Sequence, residues 1–258
     1  ERMKNDFISS VSHELRTPLT LIAGPVEQVL QHGKLNDEER EQLVLVERNT
    51  NRMLRLVNQI LDFRKIQNKK MKMRVQQIDL IPFIRHIMES FNSLADEHQI
   101  DFSMDTKVSS LKIWADSDKL EKIFDNLLSN ASKYTDPNGT LSIDIQCNTD
   151  EVVTIVTNTG AGIDKDKLPF IFDRFFTNDS YDKYSSGVGL SYVKSLVEVH
   201  GGTISADSQP GEYTRFTFSI PIRKDILQVK PRAITDYNLD VFSDNPALAA
   251  TGAELPDL

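Results

Sequence analysis

Between Ile8 and Ile60 the apolar residues recur every three or four positions, and this periodicity restricts the fold more tightly than any other feature of the chain. Ile8, Val11, Leu15, Ile22, Val26 and Val29 form one stripe, interrupted around Pro18. Leu43, Val46, Thr50, Met53, Val57 and Ile60 form a second at heptad-like spacing. Between the stripes, His32-Gly33-Lys34-Leu35-Asn36 supplies a glycine stop. Asp37, Glu38, Glu39 and Glu41 then place negative charge at the positive end of the helix that follows. The pattern predicts two long helices joined as a hairpin. Leu45, Leu54 and Leu61 widen the second stripe beyond its seam, so a lone hairpin leaves apolar surface in water. A symmetric pair of hairpins forming a four-helix bundle removes it, and is favoured over packing against the rest of the chain alone.

Composition changes after Arg64, where the polar run Gln67-Asn68-Lys69-Lys70 marks a boundary. Residues 1–68 are assigned to the hairpin, 69–222 to a second domain and 223–258 to a tail or linker containing Pro231, Pro246 and Pro256. In the second domain, alternation over residues 71–78 precedes an amphipathic helix reaching His98, with Asp79 as its expected N-cap and Pro82 in its first turn. Asp116 opens another helix, residues 117–134. Strands are expected at residues 101–105, 111–114, 140–147, 152–157, 203–206 and 214–220, and a helix at 191–200 before Gly201-Gly202. The fold class is therefore α+β: a helical hairpin, dimerising into a four-helix bundle, followed by a two-layer α/β sandwich with a mixed sheet. The chain has no GxxxxGK[ST], and no GxGxxG follows a strand, so P-loop and Rossmann readings lose their main support.

A net charge of −8 without a long basic run argues against nucleic acid or an anionic membrane as partner. No apolar run approaches the ~18 residues that span a bilayer, so no membrane contact is expected of this segment. Its start at Glu1 suggests a piece of something longer. The single cysteine, Cys147, sits in an apolar alternation and reads as a core thiol in a reducing compartment.

Three stretches carry chemistry. In FISSVSHELRTPL, residues 7–19, His13 can act as a nucleophile near pH 7, and the adjacent Glu14 carboxylate can fix its tautomer and stabilise developing positive charge. Pro18 cannot bond the Glu14 carbonyl, so a kink is expected just after the histidine. Thr17, four residues on, shares the His13 face. His32, His86, His98 and His200 lack both the following acid and the proline; they read as surface or helix-end residues, and no zinc site is assigned. On the helix carrying NLLSNASKY, Asn126, Asn130, Lys133 and Tyr134 line a polar face beside the buried Leu120, Ile123, Phe124, Leu127 and Ala131. Two amide oxygens can ligand Mg2+ without adding charge beside phosphates, a lysine can meet a phosphate, and a tyrosine can stack on a base. Third, Asn158-Thr159-Gly160-Ala161-Gly162 and Ser186-Gly187-Val188-Gly189-Leu190 allow close backbone approach, and the second precedes a helix N-terminus suited to phosphate. Between them residues 173–186 have the composition of a lid.

These segments resemble the catalytic core of a bacterial sensor histidine kinase over residues 1 to about 222. SHELRTPL is similar to the H box, DNLLSNASKYT to the N box, NTGAGI to the first glycine box, FIFDRFF to the F box and SSGVGL to the second glycine box. The resemblance implies a HisKA-type dimerisation and phosphoacceptor hairpin followed by a Bergerat-type ATP-binding domain. It implies that His13 accepts the γ-phosphate of ATP, that Glu14 orients or deprotonates it, and that Thr17 positions water for dephosphorylating a partner. Asn130 and Asn126 would hold Mg2+, Lys133 would meet phosphates and Tyr134 the adenine. Asn158, Gly160, Gly162, Phe172, Arg174, Gly187, Gly189 and Leu190 would complete the ATP site. The implied partners are a second copy of the chain and a response-regulator receiver domain, separate or fused beyond residues 223–258. The implied setting is the cytoplasmic part of a membrane-anchored receptor.

The chain departs from the family pattern at Asn158, where aspartate is usual, and at Ser185 and Tyr213, where glycine is usual. An amide accepts the adenine amino group more weakly than a carboxylate does, so a modest ATP affinity is expected. The departures also motivate an alternative, a nucleotide-binding phosphatase or scaffold with negligible autokinase activity.

Overall fold

The computed structural model of the chain describes residues 2–68, 70–177 and 187–222, and for residues 2–14 and Gln67 the backbone alone. The hairpin is formed by α1 (Arg2–His32) and α2 (Asp37–Gln67). Helix α1 runs unbroken through Pro18 and Pro25. Asn36 caps α2 with a closed capping box: its side chain accepts from the Glu39 N–H at 2.8 Å while the Glu39 carboxylate accepts from the Asn36 N–H at 3.0 Å. Across the hairpin Arg16 donates to Asn58 at 2.6 Å, and Leu19, Val57 and Leu61 bury one another against Leu54. Thr50 is also buried, but other members of the stripes stay in solvent: Ile22 is 45% exposed, Val46 41% and Met53 50%.

The second domain contains β1 (Gln76–Asp79), α3 (Leu80–Glu97), β2 (Asp101–Thr106), β3 (Lys112–Ala115), α4 (Ser117–Tyr134), β4 (Thr140–Cys147), β5 (Glu151–Thr159), α5 (Gly189–Val199), β6 (Thr203–Gln209) and β7 (Tyr213–Pro221). Strands β1 and β3 pair as a small antiparallel sheet. The other five form a sheet in the order β2-β4-β5-β7-β6, parallel only where β2 meets β4, so it is mixed as expected. Alternate residues of β4 and β5 are buried, which leaves one sheet face to the helices. Ile143, Val156 and Phe218 meet Ile123, Phe124 and Leu127 there, and the Phe124 and Phe218 rings sit edge-on at 5.6 Å.

Two expectations need correction. Asp79 stands at the N-cap position of α3 but makes no capping bond; its carboxylate instead accepts from the Ser110 hydroxyl and the Leu111 N–H, tying α3 to the start of β3. Cys147 continues the inward alternation of β4 but is exposed, because it lies at the strand's end beyond the helices. His200 stands at the end of α5, as expected, and is fully buried there. Its Nδ1 donates to the Leu196 carbonyl at 2.8 Å and its Nε2 accepts from the Asp116 N–H at 3.2 Å, which fixes the neutral tautomer. Residues 178–186 and 223–258, which hold most of the expected lid and the whole tail, lie outside the described residues.

Burial, outweighing the nearby Leu196 carbonyl and Asp116, lowers the His200 pKa. The unfolded chain therefore gains a proton below about pH 6.5 that the folded chain refuses, and stability falls with pH at up to about 1.4 kcal/mol per unit. His200→Gln should be less stable at pH 7.5, with the deficit shrinking by about 1 kcal/mol at pH 5.5. Urea denaturation at the two pH values measures this, and a constant deficit would contradict it.

Candidate functional site

Helix α4 has two unlike flanks. Leu120, Ile123, Phe124, Leu127, Leu128 and Ala131 are at most 1% exposed against the sheet. That packing turns Lys122, Asn126, Asn130, Lys133 and Tyr134 to the adjoining flank, since residues three and four apart share a face. Asp116 fixes the helix start by accepting from the Lys119 N–H at 3.2 Å and pairing with its ammonium at 2.5 Å. At the other end the Thr135 hydroxyl donates to the Ala131 carbonyl at 2.6 Å. The Lys133 ammonium sits 4.9 Å from the centre of the Tyr134 ring. Partial desolvation, then the charge of Arg52 on α2, lower its pKa.

The glycine segments close around this flank. At Gly160, φ is +147° and an added Cβ would run into the Tyr134 carbonyl, so strand β5 can pass the end of α4 only as glycine. Asn158, two residues earlier, is 3% exposed; its Nδ2 donates to the Thr159 carbonyl at 3.1 Å, which leaves Oδ1 as an acceptor. Gly162 packs on Gln209 and Pro210, and Ser208 accepts from the Ile163 N–H at 2.8 Å. The departure at Tyr213 finds its reason here: Gly211, with φ of +77°, makes the turn, and Tyr213 is already in β7 with its hydroxyl donating to Asp207. At the start of α5, Gly189 would bring a Cβ to 3.2 Å from the Asn126 Oδ1, so its bare backbone leaves space beside that oxygen. Leu190 follows within α5, half-buried against the core.

In the F box, Phe172 stands edge-on to Phe216 at 6.3 Å. The Phe175 N–H donates to the Gly187 carbonyl at 2.8 Å, which joins the end of the F box to the second glycine box. The Arg174 guanidinium lies 3.8 Å from the centre of the Phe63 ring, which belongs to α2.

Other contacts from α2 escape any reading of local pattern. Gln59 donates to the Asn126 Oδ1 at 3.0 Å, while the Asn126 Nδ2 donates to the Lys122 carbonyl at 2.7 Å. Asp62 accepts from the Lys122 ammonium at 3.0 Å, the Tyr192 hydroxyl at 2.9 Å and the Lys65 ammonium at 3.1 Å. Burial pushes the Asp62 carboxyl up, but these bonds outweigh it and hold it below the ordinary range. Burial and the adjacent carboxylate push the Tyr192 phenol up, so it remains a donor.

The structure thus brings Asn126, Asn130, Lys133, Tyr134, Gly160 and Gly189 together, with Asn158, Gly162, Phe172 and Gly187 supporting neighbouring segments. His13 and Glu14 lie on α1 with side chains outside the described residues, and Thr17 is exposed one turn on. Among the described residues no cluster of three or more His, Cys, Asp or Glu could hold a metal, so a cation at this flank would rely on neutral amide oxygens and the oxygens of its ligand. An open groove of about 390 Å³, lined by Ser142, Asp144, Thr157 and Arg215 among others, lies on the other face of the sheet, away from these residues. No described helix is long and apolar enough to cross a membrane.

Residues 3–69 match the His Kinase A (phospho-acceptor) domain, and residues 115–224 match the histidine kinase-, DNA gyrase B- and HSP90-like ATPase domain. Histidine kinase P4 of Formosa agariphila is 32% identical over 92% of the chain, which spans 18% of that relative's length. Full-length ShkA in complex with AMPPNP superimposes with a TM-score of 0.69 at 26% identity, over 84% of this chain and 45% of that one. The histidine kinase ThkA in complex with the response regulator protein TrrA gives 0.61 at 25% identity, over 85% and 62%. With a phosphoacceptor domain followed by its ATPase domain, the chain belongs to the histidine kinases and comprises their catalytic core.

Proposed function

We propose that the chain is a homodimeric Mg·ATP-dependent protein-histidine kinase that phosphorylates itself on His13 and passes the phosphoryl group to an aspartate of a response-regulator receiver domain. The observation that carries this reading is a helix flank of two amides, a lysine and a tyrosine with glycine backbone at both ends, Gly160 against the Tyr134 carbonyl and Gly189 beside the Asn126 Oδ1. Tyr134 would stack on the adenine, the Asn158 Oδ1 would accept from its amino group, and Lys133 would neutralise phosphate charge. Gly187 and Gly189 would admit phosphates to the N-terminus of α5. Asn126 and Asn130 would hold Mg2+, which supplies charge neutralisation to the phosphates. AMPPNP in the similar ShkA supports an adenine nucleotide as ligand.

In the phosphoryl transfer, a lone pair on the neutral His13 imidazole attacks the γ-phosphorus. A P–N bond forms, the bond from phosphorus to the bridging oxygen breaks, and ADP leaves with that electron pair. Glu14 stabilises the imidazolium and takes its remaining N–H proton. Thr17 would orient water in the reverse sense, dephosphorylating the receiver. TrrA in the complex with ThkA supports such a partner. ATP as donor supports the cytoplasm as the setting of this segment, within a proposed membrane-anchored receptor.

Incubation with γ-labelled ATP and Mg2+ should give acid-labile label that His13→Gln abolishes; label persisting in that variant removes the assignment, and nucleotide binding without label would favour the phosphatase or scaffold reading. Gly160→Ala, with its Cβ against the Tyr134 carbonyl, should introduce about 1–3 kcal/mol of strain and lose the thermal stabilisation that Mg·ADP confers. Gly24→Ala, where nothing lies within 4 Å, should not. The exposed Ile22 and Met53 are expected at the dimer seam, so Ile22→Glu with Met53→Glu should sediment as a monomer while the parent protein stays dimeric.

A further inference from the structure

We propose that α2 competes with the metal–nucleotide for Asn126: Gln59 caps the amide oxygen that the cation needs, and a clamp centred on Asp62 holds it there. The proposal rests on the nucleotide-site reading above and adds a regulatory contact to it. Gln59, Asp62 and Phe63 are spaced by three and four and share one face of α2. That face touches three separate parts of the ATPase domain: Asn126 and Lys122 on α4, Tyr192 on α5 and Arg174 in the F box.

The orientation of Asn126 is set by its own helix. The Lys122 carbonyl can only accept, so the amide presents Nδ2 to it at 2.7 Å and turns Oδ1 toward α2. Gln59 then presents the positive end of its amide to that oxygen at 3.0 Å. A divalent cation on the same oxygen would meet the Gln59 N–H dipole in opposition, and Mg2+ tolerates little departure from its octahedral shell. Occupation of Asn126 by one therefore disfavours the other.

The clamp is built to release. Asp62 is only 14% exposed, but Lys122 is 45% exposed, so solvent screens their ion pair from one side and weakens it. Binding of Mg·nucleotide would draw Asn126 from Gln59, loosen the domain from α2 and free it to carry ATP to His13. While docked molecules dominate, the apparent dissociation constant is the intrinsic one divided by the open fraction.

The test is calorimetric titration of the whole chain and of Gln59→Ala and Asp62→Ala with Mg·ADP, so that no phosphoryl transfer enters the readout. Both variants should bind at least about threefold more tightly than the parent, as expected when a docked majority is released. The gain in Gln59→Ala should vanish when EDTA replaces Mg2+. Equal or weaker binding by both variants, or a Gln59→Ala gain that survives EDTA, overturns the competition while leaving the nucleotide site intact. Failure of all three proteins to bind Mg·ADP overturns the nucleotide-site reading and the competition with it.

Discussion

The rotation of α4 about its own axis is the constraint on which the rest of the site depends. Successive residues on a helix are separated by about 100°, so a slip of one position would carry Asn126 and Asn130 toward the sheet and bring Leu127 toward solvent. The buried flank opposes that slip, and both ends of the helix are pinned. At the start, Asp116 takes the Arg74 N–H at 2.7 Å as well as Lys119, while its own N–H goes to His200. One buried carboxylate and one buried imidazole therefore bind the segment before β1, α4 and the end of α5 into a single joint. At the far end, Gly160 lies against the Tyr134 carbonyl.

Helix α2 serves two surfaces at once. Leu54, Val57 and Leu61 close the hairpin, Val46 and Met53 remain exposed on the stripe, and Gln59, Asp62 and Phe63 face the ATPase domain. A helix has room for these separate stripes because 3.6 residues complete a turn. The division has a consequence for signalling: a shift of α2 about its axis, driven from the hairpin, would alter the Gln59 and Asp62 contacts together. On the proposed competition for Asn126, helix packing and nucleotide occupancy would be linked through one element.

Local chemistry made most of the fold legible. Helix α4 has the bounds read from its periodicity and the Asp116 cap, because cap, apolar flank and turn all point the same way. Strand ends were less legible. Periodicity does not mark the last paired residue, and β5 extends through Asn158 and Thr159 by pairing with β7. The exposure of Cys147 and the full burial of His200 were illegible for a related reason: alternation and helix-end position say which way a side chain points, not whether another element covers it. The α2 contacts were illegible altogether. Gln59 and Asp62 are ordinary polar residues in a helix, and their partners lie 67 and 60 positions away at Asn126 and Lys122.

Asn158 shows how a departure from the family pattern is accommodated. At 3% exposure a carboxylate there would be a nearly buried charge beside the Thr159 carbonyl oxygen, with no donor of its own to offer that oxygen. The amide removes both difficulties, because Nδ2 satisfies the carbonyl and Oδ1 remains to accept. The loss is in acceptor strength, since a neutral oxygen holds an amino group about half as strongly as a charged one. If Asn158 meets the base as proposed, that contact would be weaker than a carboxylate's, but the site would not depend on ligand to neutralise a buried charge. A weak base contact would also leave nucleotide affinity sensitive to the proposed phosphate end, where Asn126 touches the hairpin through Gln59 and faces Gly189 of α5.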